Sequence, residues 1–287
     1  MNTCGIILTL NEEIHINRCI SSLKNYVNDI VILDSGSSDN TIRIAKDLGA
    51  RVYFREWDNP SSQLNWAIDN ILSKYDWVIR IDADEYIYNV DNNDNLNNYL
   101  KTLHHSINGV EILRSIKFLG KILKFGGVSD IPIVRIFKPE YAHTDGRIMD
   151  EHVMISTGKI IRSNIVIIDD NKKNIHFWLN KHINYANAEF IEYKNLLKNN
   201  YKLFSLNFNL NKLLINFHIE KRIKLRNFYY LYTPLILRSL LYFNYRYFIK
   251  LGFLDGRQGF IFHFLQAFWY RLIIDIMIIQ ELNKNND

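Results

Sequence analysis

Predicted strands and helices alternate along the first 82 residues of this chain, and that alternation limits it to few folds. Short runs of apolar and β-branched residues predict buried strands at residues 4–10, 30–33, 51–54 and 77–81. Between these runs, apolar residues recur at helical spacing over residues 14–26, 41–48 and 61–73. Strands that alternate with helices form βαβ units, and such units build a mostly parallel sheet with helices on its faces. The sequence therefore predicts an α/β fold.

Polar side chains follow three of these strands at the point where each strand ends. They occupy residues 9–12, 34–39 and 82–85. Each cluster taken alone is typical of a turn, and Asp39 or Asn40 would suit the N-cap of the next helix. In parallel sheets, however, ligands bind beyond the carboxyl ends of the strands. Three polar clusters at one sheet edge therefore predict a binding site.

The third cluster contains two carboxylates, Asp82 and Asp84, separated by one residue. Residues i and i+2 of a strand point the same way, so both can face the same space at its end. Carboxylate oxygens suit Mg²⁺ or Mn²⁺ carrying a phosphate-rich substrate. The alternative is a solvated acidic turn after a core strand. The turn at Gly36 matches neither a P-loop nor a dinucleotide motif, which disfavours P-loop kinases and simple dehydrogenases.

Composition and charge limit the class of protein to which the chain can belong. Hydrophobic residues make up 48% of the chain and charged residues 23%, as in folded proteins. A net charge of +5 is too small to favour general nucleic-acid binding. Cys4 and Cys19 are expected to be buried thiols, since no disulfide framework or zinc cluster is present, and this fits a reducing compartment. Residues 11–13 interrupt the apolar start too early for a signal peptide, so we expect a cytoplasmic location.

Four ordered motifs carry a resemblance to a known family. They lie at residues 9–13 (TLNEE), 34–41 (DSGSSDNT), 63–67 (QLNWA) and 77–85 (WVIRIDADE). Together they resemble the nucleotide-binding half of glycosyltransferase family 2, which has the Rossmann-like GT-A fold. In detail the chain is similar to the branch that contains lipopolysaccharide-core and exopolysaccharide glucosyltransferases. The similarity extends through residues 176–189 and, more weakly, residues 251–259.

The resemblance implies a domain organisation and a donor site. Residues 1–198 would form the catalytic domain, with a nucleotide-binding half at 1–90 and an acceptor-side half at 91–198. Asp82 would approach the ribose or sugar. The residues implied to contact the nucleotide-sugar are Thr9, Leu10, Asn11, Glu12, Asp34, Gly36, Ser37, Asp39, Gln63, Asn65, Arg80, Asp82 and Ala83.

The resemblance also implies a metal and a general base. Asp84 would hold Mn²⁺ or Mg²⁺ on the donor diphosphate, with His152 and His176 as further candidate ligands. Family members invert the anomeric carbon by direct attack, which needs one base near the acceptor hydroxyl. Asp150 and Glu151 are the candidates, with a slight preference for Asp150, and His152 could instead orient the base. His176 could equally be a structural histidine, and Arg135 could meet phosphate or be solvated.

Residues 199–287 are predicted to form a helical, aromatic-rich extension next to a membrane. Polar residues interrupt the long apolar run at residues 260–282, among them His263, Gln266, Arg271 and Asp275. A clean span would carry few charges, so we expect helices that lie in the interface on the inner face of the cytoplasmic membrane. The alternative is a helical pair packed on the catalytic domain or at a dimer contact.

The resemblance thus implies an inverting, metal-dependent transferase that uses a nucleotide-sugar, most simply a UDP-sugar, to extend a cell-surface glycan. The acceptor would be a lipopolysaccharide, capsule or exopolysaccharide, including lipid-linked forms. Two alternatives stay open. A nucleotidyltransferase would share the metal and the sheet, although residues 9–13 would repel a triphosphate. A non-catalytic scaffold on the same fold would bind no nucleotide-sugar.

Overall fold

A computed structural model describes residues 1–89, 96–146, 152–198 and 233–284, and every structural statement below concerns these residues. The chain divides into two compact units. The first comprises Met1–Lys117 and Asp130–Lys172, and the second comprises Phe118–Ser129 and Lys173–Asp287. The predicted domain boundary at residues 198 and 199 adjoins residues outside the described part, so that division stays a prediction.

One large sheet organises the first unit. Its first four strands are β1 (Thr3–Thr9), β2 (Asp29–Asp34), β3 (Arg51–Phe54) and β4 (Trp77–Asp82). They are parallel and lie in the order β3-β2-β1-β4. The register pairs Thr9 with Asp34 and Leu8 with Asp82. The three polar clusters therefore lie at one edge of the sheet, as predicted.

The sheet continues beyond β4 with mixed strand directions. The further strands are β5 (Glu85–Asn89), β6 (Ile107–Phe118), β7 (Lys121–Ile122), β8 (Ile131–Phe137), β9 (Ala142–Thr144), β10 (Val153–Ile155) and β11 (Lys159–Asp169). The order from β4 is β8-β6-β11-β5. β8 runs antiparallel to β4, so residues near its start lie beside the carboxyl end of β4. β9 and β10 form a separate two-stranded hairpin.

Helices α1 (Ile16–Leu23), α2 (Thr41–Asp47), α3 (Pro60–Asn70) and α4 (Leu96–Thr102) complete the first unit. Helix α1 buries Ile16, Cys19, Ile20 and Leu23 on one face, the spacing that an amphipathic helix requires. Each large aliphatic side chain buried in this way contributes about 1.5–3 kcal/mol. Both cysteines are buried free thiols, as expected.

The second unit contains the short strand β7 and is otherwise mostly helical in its described residues. It contains α5 (Ile175–Lys198), a helix at Leu237–Asn244 with a π-helical turn at Tyr245–Ile249, and a stretch from Gly252 to Lys284. A window of 18 residues within that stretch has a mean hydropathy of 1.4, and the stretch is long enough to cross a membrane, although the core helix of a soluble protein can meet the same criteria. Asp275 is paired with Arg238, and both side chains are only 1% exposed. The predicted helical, aromatic-rich C-terminal segment is therefore present.

Candidate active site

The Asp34 carboxylate holds the turn after β2. Its Oδ1 accepts hydrogen bonds from the backbone N–H groups of Gly36 (2.9 Å) and Ser37 (2.8 Å). Its Oδ2 accepts from the hydroxyls of Thr9 (2.7 Å) and Ser37 (2.6 Å). Asp34 is fully buried, and four donors already use its oxygens. A direct contact to a nucleoside, as predicted, would have to replace one of these bonds.

The loop after β1 is tied to the loop after β2. Asn11 adopts a positive φ of 56°, and its N–H donates to the Ser37 hydroxyl at 2.8 Å. The Asn11 Oδ1 accepts from the N–H of Ser38 at 2.8 Å, and the N–H of Glu12 donates to the Thr41 hydroxyl at 2.7 Å. The two predicted nucleoside-lining segments therefore form one hydrogen-bonded surface.

Asp39 joins the same surface. One carboxylate oxygen accepts from the N–H (2.9 Å) and hydroxyl (2.5 Å) of Thr41, and the other accepts from the N–H of Glu13 at 3.1 Å. Asp39 therefore acts as a cap for the start of α2, one residue before the N-cap position held by Asn40. Its carboxylate is engaged in shaping the loop.

Two predicted residues lie in the first turns of α3. Gln63 is 1% exposed, and its Nε2 donates to the carbonyl of Glu56 at 2.8 Å. Its Oε1 is buried and has no donor within the described part of the chain. A buried acceptor of this kind is expected to meet water or a ligand group. Asn65 instead accepts the N–H of Thr144 at 2.9 Å, which ties β9 to α3.

Three further predicted residues, Gly36, Leu10 and Ala83, lie in the turns after β2, β1 and β4. Gly36 has a φ of +100°, a conformation that favours glycine. A side chain there would also approach the ring of Phe54, which lies 3.7 Å from an added Cβ. Leu10 is 43% exposed beyond β1, and Ala83 is 4% exposed in the turn after β4.

Asp82 is held between two arginines. Its Oδ1 accepts from Arg80 at 3.0 Å and its Oδ2 accepts from Arg135 at 2.9 Å. Arg135 also donates to Glu85 at 3.1 Å, and the other Glu85 oxygen accepts the N–H of Asp82 at 2.9 Å. Arg80, Arg135 and Glu85 are all at least nine-tenths buried. Arg135 is thus a member of a buried ion-pair network, not a solvated flank.

This network separates the protonation behaviour of the two acids. Burial favours the neutral form of Asp82, but Arg135 and Arg80 outweigh it and hold the pKa of Asp82 well below its usual range. Burial raises the pKa of Glu85 to about 7, against the pull of Arg135 and with the help of the Asp82 charge. The Asp82 side chain keeps 36% of its surface exposed, so solvent screens part of these effects.

Asp84 has a different set of partners. Its Oδ2 accepts from the Nδ2 of Asn171 at 2.9 Å. Its backbone carbonyl accepts from Arg18 at 3.0 Å and from the N–H of Asp170 at 3.1 Å. Arg18 is in turn paired with the Asp170 carboxylate, which Lys117 also contacts at 3.3 Å. The turn carrying Asp84 is therefore clamped by α1 and by the segment after β11.

Two of the remaining candidates, His152 and His176, lie within the described residues. His152 pairs its Nδ1 with Asp145 at 3.0 Å, and its N–H donates to the same carboxylate at 3.1 Å. Asp150 and Glu151 lie outside the described residues, so their role as base stays a prediction. His176 is exposed in the first turn of α5, in the second unit.

The structure thus brings the predicted residues of 9–12, 34–39, 63 and 80–84 to one edge of the sheet. It adds three residues that the sequence analysis did not find, Arg18, Asp170 and Asn171. No local motif indicates them, because Asn171 meets Asp84 across 87 positions of sequence.

A family match covers the part of the chain that carries the polar clusters. Residues 4–121 match the family model described as glycosyl transferase family 2. This stretch is therefore similar to glycosyl transferase family 2. It includes β1 to β4 and all three polar clusters, so the first unit has a GT-A-like α/β fold. The lipopolysaccharide or exopolysaccharide branch is not distinguished by this match.

Curated relatives match parts of this chain. An uncharacterized glycosyltransferase of Rickettsia typhi is 42% identical over 79 residues, which is 28% of this chain and 26% of that protein. The prophage-derived glycosyltransferase SunS of Bacillus subtilis is 38% identical over 93 residues, 31% of this chain and 21% of that protein. The matches thus cover about a quarter of the length of these curated relatives.

Among solved structures, the chain is similar to glucosyl-3-phosphoglycerate synthase from Mycobacterium tuberculosis in complex with Mn²⁺, UDP and glucosyl-3-phosphoglycerate. The TM-score is 0.43 at 15% identity, over 68% of this chain and 78% of that chain. A likeness of this degree does not transfer the ligands of that enzyme to this chain.

Proposed function

We propose that this protein is an inverting, metal-dependent glycosyltransferase that moves a sugar from a nucleotide-sugar, most simply a UDP-sugar, to a glycan acceptor. The observation that carries the proposal is the family 2 match over residues 4–121, which contains the whole polar edge formed by β1, β2 and β4. The hydrogen-bonded surface built by Asn11, Asp34 and Ser37 supports a preformed nucleoside subsite. The orphan acceptor of Gln63 supports a polar ligand group close by.

The donor set at this edge fits a divalent cation carried by a diphosphate. Asp82 is already committed to two arginines, whereas Asp84 is half-buried and its carboxylate is held by a neutral amide. Within the described ranges no cluster of three His, Cys, Asp or Glu residues could hold a metal by itself. Mg²⁺ and Mn²⁺ commonly bind one or two carboxylates and take their other ligands from substrate phosphates and water. Asp84 would hold the ion, which would neutralise charge on the leaving diphosphate.

The base is proposed at Asp150 or Glu151, and this part of the proposal rests on the sequence alone. A carboxylate in hydrogen-bond reach of the acceptor hydroxyl would take its proton as the hydroxyl attacks the anomeric carbon. His152 and His176 remain proposed as additional metal or orienting groups. The pairing of the His152 Nδ1 with Asp145 fixes the orientation of the imidazole ring and favours the orienting role.

The acceptor is proposed to be a cell-envelope glycan: a lipopolysaccharide, capsule or exopolysaccharide, free or lipid-linked. The protein would then work at the inner face of the cytoplasmic membrane. The apolar stretch Gly252–Lys284 supports membrane proximity by its length and composition.

A donor screen tests the transfer function. Nucleotide-sugars are added with Mn²⁺ or with EDTA, and thermal stability and transfer or hydrolysis are measured. We expect one UDP-sugar to stabilise the protein only with metal, and Asp84→Asn to lose this effect. Asp47→Asn, at an exposed carboxylate of α2, is the matched control and should behave as wild type. Stabilisation by UTP without any response to nucleotide-sugars would indicate a nucleotidyltransferase, and no response to either would indicate a scaffold.

The base is tested by comparing Asp150→Asn with Glu151→Gln. The variant that removes the base should lose the transfer rate by orders of magnitude while its donor affinity is kept. If both variants transfer at the wild-type rate, the assignment to this pair is wrong.

A further inference from the structure

Asp255 organises a surface of the second unit. Its carboxylate is 1% exposed and accepts the backbone N–H groups of Lys124 (3.0 Å to one oxygen, 3.1 Å to the other) and Phe125 (2.9 Å). Its backbone carbonyl accepts from the Nζ of Lys121 at 2.6 Å. This acid therefore fixes the segment at residues 121–125 against its own turn, and its charge is not presented to solvent.

A second set of contacts fixes the same segment. The carbonyl of Gly126 accepts from the Nε of Arg246 at 2.8 Å, and its N–H donates to the carbonyl of Lys250 at 2.8 Å. Gly126 has a φ of +73°, and a Cβ there would lie 2.1 Å from the ring of buried His263. Only glycine allows this close approach. Residues 121–126 are therefore held in a fixed position against residues 246–257.

Four exposed cations lie on this surface, Lys121, Lys124, Lys250 and Arg257. Lys121 and Lys124 belong to the segment held by Asp255, Lys250 binds that segment through its carbonyl, and Arg257 follows Asp255 by two residues. Asp255 is the sole acid in residues 118–129 and 233–262, and it is buried. Within these two ranges, the charged side chains that are exposed to solvent are therefore all positive.

Exposed apolar side chains are interleaved with these cations. Single exposed apolar residues are normal on protein surfaces, but a group of them indicates an interaction site. The six that lie next to the cations in the chain are 42–71% exposed: Leu119, Phe248, Ile249, Leu251, Phe253 and Leu254. These six residues and the four cations are called the cationic–apolar surface below.

We propose that the cationic–apolar surface docks on an anionic lipid bilayer. Apolar and aromatic side chains enter the boundary between headgroups and acyl chains, while Lys and Arg bind anionic headgroups. A protein partner fits less well, because Lys is depleted from protein interfaces and three of the four cations are Lys. The inference deepens the proposed location at the inner membrane face and rests on that part of the proposed function, but it does not require the transfer reaction.

Vesicle co-sedimentation of the full chain tests the proposal. We expect binding to vesicles that contain phosphatidylglycerol, weaker binding at high salt, and little binding to phosphatidylcholine alone. A variant with Gln at positions 121, 124, 250 and 257 should bind the anionic vesicles about tenfold more weakly or worse. The matched control replaces four exposed lysines of the first unit by Gln: Lys24, Lys46, Lys74 and Lys159.

A second variant separates the apolar from the electrostatic contribution. Phe248→Ser, Ile249→Ser and Phe253→Ser together should abolish the binding that remains at high salt. Circular dichroism checks that each variant is folded. Equal losses in the surface and control variants, or equal binding to neutral vesicles, would overturn the proposal. So would a wild type that dimerises and ignores vesicles while the Ser variant is monomeric, since the occupant would then be a second copy of the chain.

The donor screen keeps the two proposals separate. A surface variant that loses vesicle binding but keeps metal-dependent stabilisation by a nucleotide-sugar supports the docking surface and leaves the transfer function intact. A wild type that binds anionic vesicles but responds to no nucleotide-sugar removes the transfer function and leaves the docking surface standing.

Discussion

Replacing Arg135 by Met should destabilise the protein in a way that depends strongly on pH. Arg135 is 6% exposed and joins Asp82 (2.9 Å) to Glu85 (3.1 Å). Removing one member of a buried ion pair leaves an uncompensated charge and typically costs about 3–5 kcal/mol. Asp82 keeps Arg80 as a partner, so Glu85 carries most of the cost. Glu85 can avoid that cost by taking up a proton.

The size of the loss follows from the pKa of Glu85. In the unfolded chain this group titrates near 4.5, and burial raises its pKa to about 7 in the fold. An acid whose pKa is higher in the folded state stabilises the fold fully at pH values below its unfolded pKa. This stabilisation is lost as the pH rises through the folded pKa. Without Arg135 the folded pKa of Glu85 rises further. The free energy of unfolding of the variant therefore continues to fall above pH 7, where that of wild type no longer changes through Glu85. Above pH 7 the difference between the free energies of unfolding of wild type and variant should therefore grow by about 1.4 kcal/mol per pH unit. It should reach roughly 3 kcal/mol near pH 9.

Urea unfolding near pH 6 and near pH 9 measures this difference. Near pH 6 the loss should be about 1–2 kcal/mol, the value of one hydrogen bond to a charged group. Adding Glu85→Gln should remove the pH-dependent part, because Gln cannot ionise. Arg162→Met is the control, since Arg162 pairs with Glu111 but keeps 48% of its side chain exposed, and it should cost less than about 1 kcal/mol at both pH values. A loss in Arg135→Met that does not change with pH would refute the reasoning.

Three smaller predictions concern other polar groups. Thr9→Val removes the 2.7 Å hydrogen bond to Asp34 and should lower the free energy of unfolding by about 2 kcal/mol in urea, whereas Thr9→Ser should not. Burial lowers the pKa of His263 from 6.5 to about 4, so between these pH values the unfolded chain binds a proton that the folded chain excludes. The free energy of unfolding should therefore fall by at most about 3 kcal/mol as the pH drops from 6.5 to 4. His263→Phe should lose that dependence in thermal unfolding. Asn171→Ala removes the amide that holds Asp84 and should weaken Mn²⁺ binding about tenfold by electron paramagnetic resonance.

Each of these predictions has a contrary result. A Thr9→Val variant as stable as wild type would mean that Asp34 does not depend on this hydroxyl. An acid-induced loss that persists unchanged in His263→Phe would assign it to other groups. Equal Mn²⁺ affinity in Asn171→Ala and wild type would mean that the amide does not position a metal ligand.

The first four strands could be predicted from sequence because their signals are local. The predicted strand at 77–81 is β4 at Trp77–Asp82, and the predicted helix at 41–48 is α2 at Thr41–Asp47. Apolar runs, helical spacing and turn residues act over a few positions, and parallel pairing then brings the strand ends to one edge. The site residues that follow these strands were predictable for the same reason.

The partners of those residues could not be predicted, because they come from distant parts of the chain. Arg135 reaches Asp82 because β8 inserts antiparallel beside β4, and no pattern within β8 indicates that neighbour. Asn171 reaches Asp84 through a bond that spans 87 positions. The four hydrogen bonds by which Asp34 shapes the turn could not be predicted either, and its predicted contact with the nucleotide stays a prediction.

These distant partners divide the roles of two carboxylates that look equivalent in sequence. Two guanidinium groups neutralise Asp82, and Glu85 carries about half a charge near pH 7, so this cluster is close to neutral or slightly positive. The Asp84 carboxylate accepts from the neutral amide of Asn171, and it is the carboxylate proposed above to bind the cation. A divalent ion on Asp84 would leave a net positive charge facing a diphosphate, with no opposing repulsion from Asp82. The arginines therefore favour Asp84 as the metal ligand and make Asp82 part of the electrostatic support beneath it.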